Sequence, residues 1–240
     1  MDRRSLSPFS IAPVGVMRSP FGEKFGVPRQ AGLVSEAIGV VELVPPFDEA
    51  GMLEGLADFS HIWLLWRFDR VADGDWRRRV RPPRLGGNRE VGVWASRSPF
   101  RPNHLGLSAV RLLEILPGPP VGLRVAGVDL VDGTPIVDIK PYLPYADALP
   151  NACGGFADAA PEAVVMVRFS AEVQSELGRV DPELTLRRLI TRVIALDPRP
   201  AYRRRPDPDR LYGMRLADFE VRWRVSERHA EVVELVRAAD

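Results

Sequence analysis

Three stretches of the chain set polar and charged side chains on backbone that glycine and proline keep out of regular structure. They are Lys24-Phe25-Gly26-Val27-Pro28-Arg29-Gln30, the run from Arg81 to Arg101, and the run from Asp129 to Tyr142. The second contains Arg84-Leu85-Gly86-Gly87-Asn88 and Arg97-Ser98-Pro99-Phe100-Arg101, followed by Pro102-Asn103; the third contains Asp132-Gly133-Thr134-Pro135. Loops with fixed backbone and exposed polar groups are where binding sites are built. Each of the three also reads as a rigid turn, Asp132-Gly133 being a common turn signal.

Other chemistries find little support. Cys153 is the only cysteine and lies in a Gly-rich segment with no histidine near it in sequence. It therefore reads as structural or incidental, because thiolate chemistry needs a base or a cationic partner. With only His61, His104 and His229 besides, there is no zinc-type ligand spacing, and no metal is expected. No GxGxxG follows a candidate strand and no Walker A loop is present, which leaves dinucleotide and ATP chemistry unsupported.

Net charge is +1, so a polyanionic partner must meet a local patch rather than a whole-molecule field. Lys24 and Lys140 are the only lysines, and the arginine bias could equally reflect a GC-rich genome. No apolar run approaches the ~18 residues that span a bilayer, and the first residues lack a hydrophobic signal segment. A cytoplasmic protein without a membrane partner is expected.

The elements that must hold these loops are mostly strands. Short β segments are expected near Ile11 to Met17, Gly39 to Leu43, His61 to Phe68, Val91 to Arg97, Ser108 to Ile115, Leu123 to Leu130 and Ile136 to Ile139. A short helix, Glu49 to Leu56, would be capped by Asp48. About seven such strands suggest a mainly β fold with a closed barrel, since closure removes exposed edges. The segment 150–161, rich in Ala, Gly and Pro, separates a barrel domain over 9–150 from a smaller α+β domain over 161–240. In the smaller unit, Leu186, Leu189, Ile190, Val193 and Ile194 repeat at helical spacing between Pro182 and Leu196. A hairpin pairs the alternating run Phe219 to Val225 with Ala230 to Val236.

Taken together, KFGVPRQ, FSHIWLLWRF, RPPRLGG, RSPFRPN and DLVDGTPIVDIKPYLP resemble the TrmO (TsaA-like, YaeB-like) family over nearly the whole chain, with DPRPAYR and DFEVRWRV resembling that family's small domain. The resemblance implies a β-barrel methyltransferase of non-Rossmann type. It would act as a homodimer, with S-adenosylmethionine near the subunit interface and tRNA carrying threonylcarbamoyladenosine as acceptor. One departure is His104, where the family pattern after FRPN has proline; a histidine there is expected to be solvated rather than catalytic.

The family's cofactor contacts map onto Pro28, Arg29, Gln30, Asp69, Arg70, Arg97, Leu107 and Val128, Asp129 and Leu130. Arg29 and Arg97 suit the cofactor carboxylate, which a planar pair of donors can grip, and Gln30 adds hydrogen bonds. The acceptor amine is conjugated and acylated, hence a poor nucleophile, and positioning, worth as much as ~7–11 kcal/mol, should outweigh a general base at about 10²–10⁴-fold. Candidates for an optional base are Asp132 and Asp138, with Asn103, Lys140 and Tyr142 orienting the carbamoyl and threonyl groups. Phosphates of the anticodon arm could meet Arg77, Arg78, Arg79, Arg81 and Arg84 beside Trp76, and Arg199, Arg203, Arg204, Arg205 and Arg210 beside Tyr202.

Two other readings share the same residues. One keeps the cofactor but changes the acceptor to another RNA site or a small molecule; the other is a binding module that senses the cofactor without turnover.

Overall fold

The computed structural model describes residues 7–199, 207 and 209–238. In chain order its strands are β1 (Gly15–Arg18), β2 (Ile38–Leu43), β3 (His61–Arg67), β4 (Arg79–Val80), β5 (Val91–Gly92), β6 (Leu105–Leu116), β7 (Gly122–Ala126), β8 (Pro135–Pro141), β9 (Met166–Phe169), β10 (Tyr212–Leu216), β11 (Phe219–Ser226) and β12 (His229–Arg237). The α-helices are α1 (Pro144–Asp147), α2 (Ala171–Val180) and α3 (Thr185–Ala195).

A closed barrel forms in the order β1-β2-β7-β6-β3-β8, every neighbour antiparallel. It has six strands rather than seven because the stretch from Val91 does not join it. Only Val91 and Gly92 pair, against Arg79 and Val80, and Val93–Ala95 turns into a 3-10 helix. Alternation drives the closure. In β3, Ile62, Leu64 and Trp66 are buried while the residues between them are not, and Val41, Val110, Leu123 and Ile136 complete the interior.

The expected helix from Glu49 is instead two 3-10 turns, Ala50–Leu53 and Leu56–Asp58, with no side-chain cap. Gly55, at φ 79, breaks the run in a left-handed conformation that glycine adopts without a Cβ penalty.

The second unit is a four-stranded sheet, β10-β11-β12-β9, in which β9 runs parallel to β12 and the expected hairpin is β11–β12. Helices α2 and α3 bury Val173, Leu177, Leu189, Ile190, Val193 and Ile194 with it. Helix α3 begins at Thr185 rather than Pro182, and the Asp181 carboxylate accepts from the amides of Leu186 (3.1 Å) and Arg187 (2.8 Å), satisfying two donors of the first turn. The sheet is joined to the barrel by a bridge between Phe21 and Leu216 and by a bond from the Ala217 amide to the Pro20 carbonyl (2.7 Å).

Candidate active site

One cavity of about 570 Å³ opens beside the barrel, where loop 24–30, the end of β3 with residues 68–71, loop 96–101, the start of β6 and residues 129–134 meet. Its volume lies within the ~300–1,000 Å³ typical of small-ligand sites. Of the ten residues read as cofactor contacts, Pro28, Arg29, Gln30, Asp69, Arg70, Arg97, Leu107, Asp129 and Leu130 line it. Val128 is fully buried behind the wall. Three segments far apart in sequence thus converge.

The wall is cross-braced. The Arg97 guanidinium donates to the Gln30 side-chain carbonyl, tying loop 96–101 to loop 24–30. Arg70 donates to the main-chain carbonyls of Asp132 (3.0 Å) and Gly22 (3.4 Å). From the barrel side, Trp66 Nε1 donates to Ser108 Oγ (3.0 Å), and Ser108 Oγ donates to Asp129 Oδ1 (2.6 Å). Burial pushes the Asp129 carboxyl up from 3.8 to about 6; the Ser108 bond, the Asp129 and Ala31 amides and the charge of Arg97 oppose that rise. Gly106 is the cross-strand partner of Trp66, and a Cβ there would come 2.3 Å from the indole. The ring lies over the place a side chain would occupy.

None of the five residues read as catalytic lines this cavity. Asp132 accepts the Ser19 amide (3.0 Å) and donates its own amide to Phe21 (2.8 Å), so it fastens a turn. Asp138 accepts the Ile139 amide (3.0 Å) and borders a second cavity of about 380 Å³ with Phe47 and Leu53. Lys140 is exposed opposite Trp63, Tyr142 packs on Trp63 (5.5 Å between centroids), and Asn103 is exposed in the turn before β6. Trp63 does line the cavity, so Lys140 and Tyr142 adjoin its rim, whereas Asp132 and Asp138 are engaged elsewhere.

His104 departs from the solvated side chain expected for it. It is 3% exposed at φ 52, with Nδ1 2.8 Å from the Pro99 carbonyl. As the donor of that bond, Nδ1 carries the proton.

The arginines fall into two groups. Arg77, Arg78, Arg79, Arg81 and Arg84 are all exposed, but Glu90 pairs with Arg79 and Arg81 (3.2 Å each) and Arg84 donates to the Ala159 carbonyl. Arg199 is not available to a phosphate. Its side chain is 6% exposed, bonded to Asp197 at 2.7 and 3.1 Å and lying over the Tyr212 ring. Arg210 also lies over that ring (5.5 Å). Tyr202, Arg203, Arg204 and Arg205 fall outside the described residues.

The family described as tRNA-methyltransferase O N-terminal domain matches residues 16–148, and the TrmO C-terminal domain matches residues 162–238. The chain belongs to the TrmO family. A relative in Escherichia coli K12, tRNA (adenine(37)-N6)-methyltransferase, is 48% identical over 96% of this chain and 99% of its own. A Pseudomonas aeruginosa relative, the putative S-adenosylmethionine-dependent methyltransferase RcsF, is 45% identical over 96% of each chain. A crystal structure of TrmO from P. aeruginosa superposes with a TM-score of 0.80 at 37% identity, covering 98% of this chain and 100% of that one. The TrmO likeness therefore spans the barrel and the small sheet together.

The sequence had no local signal for the Trp66–Ser108–Asp129 chain or for Gly106. Their contacts join different strands, and Trp66 reads as ordinary core in FSHIWLLWRF.

Proposed function

We propose that this protein transfers the methyl group of S-adenosylmethionine to the N6 amine of threonylcarbamoyladenosine at position 37 of tRNA. The observation that carries the reading is the two-way, near-full-length match to the E. coli tRNA (adenine(37)-N6)-methyltransferase. The cofactor supplies an electrophilic methyl on a sulfonium. The wall described above suits it: Arg29 and Arg97 provide guanidinium donors for a carboxylate, Gln30 further bonds, and the largely buried Asp129 an anionic oxygen near a cationic ligand. Pro28, Asp69, Arg70, Leu107 and Leu130 shape the enclosure around these groups.

Holding donor and acceptor in line is the main task of the residues. Lys140 and Tyr142, beside Trp63, and Asn103, just past Arg101, orient the carbamoyl and threonyl groups at the rim. No side-chain base is invoked, because the carboxylates of Asp132 and Asp138 accept main-chain amides away from the cavity.

Phosphates of the anticodon arm meet Arg77, Arg78, Arg79, Arg81, Arg84 and Arg210, and Tyr202, Arg203 and Arg204 extend that footprint. The protein works as a homodimer in the cytoplasm. Exposed Leu107 and Leu113 on β6 support a partner surface beside the cavity, and no helix among the described residues is long and apolar enough to cross a membrane.

The test is labelled S-adenosylmethionine offered with tRNA that carries or lacks the threonylcarbamoyl group. Transfer to the modified tRNA alone is expected; equal transfer to both, or cofactor binding without transfer, would overturn the reading.

A further inference from the structure

The arginine strand and the cofactor cavity, separate stretches in sequence, are stitched together through one short turn. Arg79 pairs with Gly92 in the β4–β5 ribbon, the Val93 amide donates to the Arg78 carbonyl (3.1 Å), and the Arg77 amide donates to the Phe100 carbonyl (2.9 Å). Val93 is buried and anchors the turn. Trp94, the next residue, is 73% exposed.

Leaving a side chain of that size in water forgoes about 1.5–3 kcal/mol of burial, so an exposed indole at this place calls for a reason. Its surroundings indicate a ligand that is flat and anionic. The Arg101 guanidinium lies 5.9 Å from the Trp94 ring centroid and is held by the Ser96 carbonyl (3.2 Å). Ser96, Arg97 and Arg101 all line the cavity, whereas Arg78 and Arg79 continue the turn on its other side. A polynucleotide whose phosphates follow the arginines, and whose target base enters the cavity, passes over this ring. Bases flanking a splayed-out nucleotide in a single-stranded loop are recognised by stacking on aromatic side chains.

We propose that Trp94 is a stacking platform for an unpaired nucleobase next to the methylated adenosine. This rests on the tRNA reading above and names a contact within it. Stacking is indifferent to base identity, since every base presents a π-face. Trp94 therefore contributes affinity and alignment of the loop rather than choice of sequence.

The test measures binding of a synthetic anticodon stem-loop RNA to wild type, Trp94→Ala and Trp94→Phe at several salt concentrations, with calorimetric S-adenosylmethionine affinity and sedimentation run in parallel. Trp94→Ala is expected to weaken RNA binding about tenfold or more, while the salt slope, the cofactor affinity and the sedimentation coefficient stay as in wild type. Trp94→Phe should recover most of the loss, because a phenyl ring still stacks.

Wild-type RNA affinity in Trp94→Ala would overturn the platform, and so would a loss accompanied by a changed oligomeric state, which would mean that the indole is covered by a second copy of the chain. Failure of the wild-type protein to bind the stem-loop, or to methylate tRNA that carries the threonylcarbamoyl group, would instead remove the underlying tRNA reading, so the two failures are distinguishable.

Discussion

Phe25 and Trp223 stack with ring centroids 5.9 Å apart and planes within 6° of parallel. The pair joins a cavity loop to the C-terminal sheet. On that same loop, Gly26 at φ 94 leaves no room for a Cβ, which would come 2.8 Å from Met214 Sδ, and Glu23 accepts the Arg215 amide at 3.1 Å. Arg29 and Gln30 are thereby held from the small domain as well as from the barrel. Phe25→Leu, which keeps apolar bulk but removes the stack, should weaken S-adenosylmethionine binding roughly two- to tenfold, the range of an aromatic pair at about 0.5–1.5 kcal/mol. Calorimetry against a thermal melt would check it, the expected pattern being a clear loss of affinity with a small change in Tm.

Arg97 reaches both Gln30 and the field of Asp129. Arg97→Ala should cost at least tenfold in cofactor affinity, on the scale of about 1.5–3 kcal/mol for a hydrogen bond to a charged group. Unchanged affinity in a titration would remove it from the cofactor's contacts.

Asp129 links pH to both binding and stability. With its carboxyl near 6 rather than 3.8, the folded chain holds this proton more tightly than the unfolded chain does. Its contribution to stability is therefore complete below pH ~4 and is lost as pH rises through ~6, by on the order of 2–3 kcal/mol. Cofactor binding runs the other way, because the ionised form attracts a sulfonium, so affinity should fall as pH drops through about 6. Asp129→Asn should raise Tm at pH 7 and flatten both profiles. Melts and titrations across pH ~4 to ~8, spanning both the unfolded and the folded pKa, would show whether the two trends oppose each other.

Much of the barrel is legible because its strands alternate with period two, and α3 because four buried apolar residues share one face. Helix α2 left a fainter trace. Only Val173 and Leu177 are buried along it, and its clearest sequence mark is Ser170, whose Oγ accepts the Val173 amide at 3.3 Å. The run from Val91 alternates like a strand, yet its partner is two residues long, and residue type alone does not reveal a missing neighbour. At the site, motif-bearing loops could be read directly, whereas the Ser108–Asp129 bond spans 21 residues of chain and depends on barrel closure. Arg199 shows the converse limit. Its place in a basic stretch suggests a phosphate contact, and the buried Asp197 ion pair decides otherwise.

Gly106 is fixed by the Trp66 ring. Gly106→Ala should destabilise the fold by about 1–3 kcal/mol through overpacking, and it should displace the indole from Ser108. Denaturant melts would report the first effect. Altered tryptophan fluorescence in the still-folded variant would report the second.

Glu90 holds back two arginines of the proposed RNA face. Glu90→Gln should strengthen RNA binding and steepen its salt dependence, since Arg79 and Arg81 are then free to displace counterions, while Arg78→Ala should reduce the slope by about one. Identical slopes for both variants and wild type would take this ribbon out of the footprint.

The activity of this protein depends on where the methyl donor binds. Diffraction from crystals grown with S-adenosylmethionine would test that directly. The predicted result is density for the donor between Arg29 and Gln30, Arg97 and Asp129, with its sulfonium on the Asp129 side. Density in the second cavity beside Asp138, or elsewhere on the surface with loops 24–30 and 96–101 making no contact, would contradict it.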